Sequence, residues 1–116
     1  MKYYKELLLR KLANSGWELV EIDEDTDWWL ESVWRIKSIR QNYGLELFIS
    51  FLVDPQYDGV NKSSAVYSIE AFKEFPHERP LKNGLASLYF LNGKLNRVME
   101  EFLVEINYFR NKVNEL

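Results

Sequence analysis

Hydrophobic positions along the chain follow two periodicities, and the change from one to the other outlines a fold. Leu45, Leu47, Ile49, Phe51 and Val53 are apolar at every second position, and Trp28, Leu30, Trp34 and Ile36 repeat the pattern with Ser32 as an interruption. A period of two marks a strand with one face in a core. Gln41-Asn42-Tyr43-Gly44 between the two runs is turn chemistry, so residues 28–53 predict a long hairpin. Such a hairpin is unstable alone and needs a layer over its apolar face.

The ends of the chain carry the other period. Tyr4, Leu7, Leu8 and Leu12 share one side of a predicted helix over 3–14, which Asn14-Ser15-Gly16 ends. Leu95, Val98, Met99, Phe102, Ile106, Phe109 and Val113 keep three- and four-residue spacing in a second helix from Lys94 to Glu115. Trp17 to Ile22 reads as a short strand, with Val20 and Ile22 facing one way and Trp17 and Leu19 the other. Asp54-Pro55 stops the hairpin ladder, and residues 56–64 form a loop. Tyr67, Ile69, Ala71 and Phe75 alternate as a fourth strand, closed by Pro76. Residues 86–91 make a fifth, because Asn92-Gly93 is poor helix interior. The expected fold is a single α+β domain over 1–116: two layers, an antiparallel sheet of about five strands flanked by N- and C-terminal helices, in the order α-β-β-β-β-β-α. This order resembles the frataxin-like arrangement, which implies both terminal helices on one sheet face, and it resembles small proteins of that topology suspected of binding DNA. In frataxins an acidic ridge near the first helix and strand is associated with iron. Here the acids lie in the first strand and the turn after it, and the first helix is basic.

Composition narrows the class. A chain of 116 residues, 47% hydrophobic and 16% aromatic, fits one domain with a real core. With no cysteine there is no disulfide framework and no thiolate metal site, which suits a reducing cytoplasm. The first residues hold only Leu7-Leu8-Leu9 as an unbroken apolar run, short of a signal peptide, and no stretch nears the ~20 residues that cross a bilayer. The expectation is a cytoplasmic protein with no membrane partner. A net charge of −3 argues against nucleic acid as a partner.

Candidate chemistry concentrates in two places. From Glu18 to Glu31 there are seven acids and no base. Asp23, Asp25 and Asp27 match positions 1, 3 and 5 of a calcium loop, but Trp28 and Trp34 stand where an EF-hand requires glycine and a bidentate glutamate. The EF-hand is excluded. A looser divalent-cation site at Asp23, Asp25 and Asp27 is the alternative functional reading, against a solvated turn whose acids Arg35, Lys37 and Arg40 offset across the sheet.

The second place is the other side of the sheet. If the helices cover the side carrying Leu47 and Ile49, the opposite side presents Trp29, Val33, Phe48, Leu52, Val66 and Phe72 among Glu31, Arg35, Glu46, Ser50 and Glu70. A solvated sheet face should be polar, and this one is half apolar. It predicts a partner surface for another protein or a homodimer, built on Trp29, Val33, Arg35, Phe48, Leu52 and Phe72, unless a helix or the 54–65 loop covers it. Small acidic inhibitors or immunity-type proteins that cap a basic partner are a class with this composition. Catalysis has little to rest on. His77 is the single histidine and sits between Pro76 and Pro80, Ser63 and Ser64 lack a recognisable base, and Asn92-Gly93-Lys94 is not a phosphate loop. No cofactor is expected, and the chain reads as a non-enzyme.

Overall fold

Five strands pair in chain order to make one antiparallel sheet, β1-β2-β3-β4-β5. A computed structural model describes residues 3–76, 84–89 and 94–112. Its elements are α1 (Tyr3–Asn14), β1 (Trp17–Asp23), β2 (Leu30–Ser38), β3 (Glu46–Val53), β4 (Val66–Phe72), β5 (Ala86–Tyr89) and α2 (Leu95–Lys112), with a 3-10 turn at Lys62–Ser64 between β3 and β4. The α+β arrangement read from the sequence is the one observed. His77, the 90–91 end of the expected fifth strand and the 113–115 end of the expected last helix lie outside the described residues.

Both helices lie on one face. Leu8 and Leu12 of α1 and Met99, Phe102, Leu103 and Ile106 of α2 join Trp34, Ile36, Leu47, Ile49, Phe51, Ile69, Ala71 and Leu88 in a single buried cluster. The stripes that predicted the helices are the surfaces they bury. The Trp34 and Phe51 rings meet edge-on at 4.9 Å, the geometry their quadrupoles favour.

One corner ties the helix ends to the hairpin. Gly16 ends α1 at φ +83, and a Cβ there would lie 2.3 Å from the Arg40 side chain, so both backbone and space require glycine. Arg110 of α2 is 4% exposed and donates to the Ser15 carbonyl at 2.8 Å, with its guanidinium 4.9 Å from the Trp17 ring. A cation on the carbonyls that end α1 complements the helix dipole. Burial, and then nearby Arg40, pull the Arg110 pKa below its ordinary value. Trp17 Nε1 donates to Asn107 Oδ1 at 2.7 Å, closing the corner.

Three register shifts correct the face assignments made from simple alternation. Each inserts a residue on one strand and so swaps the parity of everything beyond it. Between Leu30 and Ser32 the shift sets Leu30 against Leu52 while Ser32 faces Phe51. Leu30 therefore joins the far side of the sheet rather than the side of Trp34 and Ile36, and Trp28 falls outside the strand, 63% exposed. Between Leu19 and Glu21 a second shift brings Ile22 opposite Trp34, on the helix side where Leu19 also packs, not opposite to it. Between Leu52 and Val53 the third leaves Val66 packed against the helix-side core and turns Tyr67 to the far side. Phe75 lies beyond the end of β4 rather than within it.

Candidate interaction surface

The far side of the sheet is covered by the chain itself. Trp29, Val33, Leu52 and Phe72 are 5%, 2%, 9% and 5% exposed. Trp29, Leu30, Val33 and Leu52 form a second buried cluster, with Phe48, Tyr67 and Phe75 packed around it. Among the described residues the cover comes from two connections rather than a helix. The residues before β2 fold Trp29 inward, held by Val53 N–H donating to the Trp29 carbonyl at 2.9 Å. The connection after β4 lays Phe75 edge-on to Phe48 at 6.0 Å, with Pro76 buried beside it. Of the six residues expected to meet a partner, four are therefore interior. Phe48 is half-buried, and Arg35 is engaged within the chain, at 3.3 Å from Glu21 and 3.2 Å from Glu46. The open oily face expected from alternation is corrected to a second, smaller core.

Polar groups trapped in this second layer are less well served than its apolar ones. Ser50 and Glu70 are directly opposed, and Ser68 lies two residues before Glu70 on the same side. The hydroxyls of Ser50 and Ser68 are buried with no hydrogen-bond partner among the described residues. Burial pushes the Glu70 carboxyl above its ordinary pKa.

The acidic segment is an ordered turn. Asp23 Oδ1 accepts the Asp25 N–H at 2.9 Å, an Asx turn that follows β1 directly. Thr26 Oγ1 donates to the Leu30 carbonyl at 2.8 Å. The carbonyls of Thr26, Asp27 and Leu30 converge on Lys62 Nζ at 3.3, 2.9 and 3.0 Å, so the cation they hold is the chain's own ammonium. Among the described residues no group of three or more His, Cys, Asp or Glu side chains is placed to hold a metal ion. Asp23, Asp25 and Asp27 are close in sequence but are not gathered into a chelating set.

Acids along the strand are ion-paired, while the turn carries the Lys62 ammonium on its backbone carbonyls rather than on its carboxylates. Glu18 meets Lys37 at 3.7 Å, Glu21 meets Arg35 at 3.3 Å, and Glu31 meets Lys5 at 2.6 Å. Arg35 and Lys37 do offset acids across the sheet, whereas Arg40 lies over Gly16 instead. Asp23, Glu24, Asp25 and Asp27 have no ion pair among the described residues. Beside them three apolar side chains face solvent: Val20 at 41%, Ile22 at 39% and Trp28 at 63% exposure. All seven of these residues lie along or just after β1, which pairs on one side only, with β2.

The remaining polar cluster is internal. Lys5 Nζ reaches both Glu31 oxygens, Ser32 Oγ at 3.3 Å, and the Phe51 ring at 4.7 Å from its centroid. Ser32 is fully buried, and the Tyr4 hydroxyl is pushed to a higher pKa by burial and by the Glu31 charge. A lysine beside a serine suggests nucleophilic chemistry, but this amine is committed to a carboxylate and the hydroxyl has no path to a substrate. The cluster bolts α1 to the start of β2. Sequence reasoning missed it, as it missed Lys62, because both contacts join residues more than 20 positions apart with no local spacing to mark them. Protein-family models, curated proteins and solved structures all fail to match this chain.

Proposed function

We propose that the chain is a protein-interaction module that receives a basic protein partner on its acidic margin, formed by β1 and the 23–29 turn. One observation carries the reading. Four acids without ion pairs among the described residues stand on the same stretch of chain as three exposed apolar side chains, Trp28 among them. Uncompensated charge of one sign speeds encounter with a complementary partner and rejects like-charged ones, while a tryptophan supplies the contact area that anchors an interface. An inhibitor or immunity-type protein that caps a basic site on its target is the role this surface suits. A cytoplasmic setting fits the absence of cysteine. No helix among the described residues is long and apolar enough to cross a membrane.

Co-purification from the native host tests the proposal, with wild type compared against a variant carrying Asp23→Lys, Asp25→Lys and Trp28→Ala. The expected result is a protein retained by wild type, released by salt and lost with the variant. Equal retention by both forms, or a mass that reports only a stable second copy of this chain, overturns it.

A further inference from the structure

We propose that the corner where α1 ends is a small-anion site, in which Arg40 and Arg110 together take a phosphate-type oxyanion. Three segments meet there. The Ile39 N–H donates to the Gly16 carbonyl at 2.9 Å, Arg110 Nη1 to the Ser15 carbonyl at 2.8 Å, and Trp17 Nε1 to Asn107 Oδ1 at 2.7 Å. The stretches 11–17, 38–44 and 106–112 that make these contacts hold no aspartate or glutamate, although acids outnumber bases in the chain. They do hold Lys11, Arg40, Arg110 and Lys112. Lys11 is taken by Glu100, and Glu18, the acid just beyond Trp17, is taken by Lys37. Arg40 and Arg110 have no ion pair among the described residues.

Two like charges are thus brought together without a counter-ion. Arg110 is buried, with Nε donating to Asn111 Oδ1 and Nη1 to the Ser15 and Gly16 carbonyls, which leaves Nη2 with no acceptor among the described residues. Arg40 is exposed, and its stem lies across Gly16, where the missing Cβ makes room for it. Burial, and after it the Arg40 charge, lowers the Arg110 pKa, so the two guanidiniums are within electrostatic reach of each other. The carbonyls on Arg110 satisfy donors but carry no net charge, so the repulsion between the arginines stays in place. An oxyanion relieves it. A guanidinium fork matches two oxygens of a phosphate, and the charge of a buried neighbour is only weakly screened by salt. Charge count selects the ligand class, because a phosphate group carries about −1.5 to −2 at pH 7 and a carboxylate only one charge.

The experiment titrates the full chain with inorganic phosphate at pH 7 and, in parallel, with sodium chloride at matched ionic strength. NMR follows the Gly16 amide and the Trp17 indole N–H, whose ring lies 4.9 Å from the Arg110 guanidinium. The expected result is saturable movement of both signals with phosphate and not with chloride. Arg40→Gln keeps part of the stem over Gly16 and should weaken phosphate binding about tenfold or more, as the loss of a charge-assisted hydrogen bond does. O-phosphoserine in place of phosphate tells two sources of the ligand apart. Tighter binding of the ester marks a phosphate carried on a larger molecule, and equal or weaker binding marks the free ion; both support the site. An equal response to chloride would mean screening alone, and a phosphate response unchanged in Arg40→Gln would place the ion elsewhere. Either result, or no saturable response at phosphate well above millimolar concentration, overturns the inference.

Discussion

The two sides of the sheet are closed by different means. On one side, two helices place regular stripes of leucine, phenylalanine and isoleucine against a face that includes Trp34, Ile49 and Phe51, all fully buried. On the other, a smaller cluster of Trp29, Leu30, Val33 and Leu52 is covered by the ends of two connections. The first closure is repetitive and rests on packing area. The second depends on a few individual contacts: the Trp29 carbonyl taken by Val53, the three carbonyls held by Lys62, and the Phe75 ring against Phe48. An apolar stretch on a sheet therefore does not by itself announce a partner. A chain can close such a face with turns as well as with helices.

The sharpest way to break this comparison is to delete the same side chain from each layer. Trp34→Ala removes a fully buried ring from a site walled by two helices that cannot collapse into the space, and should cost about 3–5 kcal/mol. Trp29→Ala removes an equal ring from beneath a turn that can settle inward, and should cost less, at about 3 kcal/mol or below. Urea denaturation of the two variants gives both numbers. Equal costs would show that the two layers are packed to the same standard and that the distinction drawn here has no energetic meaning.

A smaller effect is expected from the ammonium that holds the acidic turn. Lys62→Met keeps the aliphatic stem but leaves the Thr26, Asp27 and Leu30 carbonyls without their shared donor, costing about 1–2 kcal/mol. The loss should be local. Amides of Leu30 and Val53 should exchange faster, and tryptophan emission should shift to the red as the turn over Trp29 loosens, while amides at the centre of β3 keep their protection. Uniformly faster exchange across the sheet would mean that Lys62 supports the whole fold rather than one closure.

How far the sequence could be read follows the same division. Helix stripes and strand periods need only local spacing, so the element order and the helix-covered core containing Leu47, Ile49 and Phe51 were legible. Parity across a bulge was not. Nothing in Trp28-Trp29-Leu30-Glu31-Ser32 says that the register slips, yet that slip decides that Leu30 faces away from the helices and that Trp28 stands in solvent. The acidic turn was visible as a run of charge. Its internal cation was not, because Lys62 arrives from the 3-10 turn between β3 and β4.

The smallest expected effect probes the polar seam of the second layer. Glu70 is half-buried opposite Ser50, and burial raises its carboxyl pKa in the folded chain above the unfolded value. The sign follows from proton linkage. Below the unfolded pKa, near pH 4, both states hold the proton and the group is neutral in its effect. As pH rises, the unfolded chain releases its proton first, so stability falls until the folded carboxyl has also ionised, and the deficit then persists to neutral pH. Glu70→Gln keeps the shape and removes the titration. It should raise the melting temperature by a few degrees at pH 7 and leave it nearly unchanged near pH 4, so the difference between variant and wild type should open as pH increases. A Glu70→Gln difference that stays constant with pH would mean that the carboxyl is as well hydrated as a surface group, and that the second closure excludes water no better than an open face.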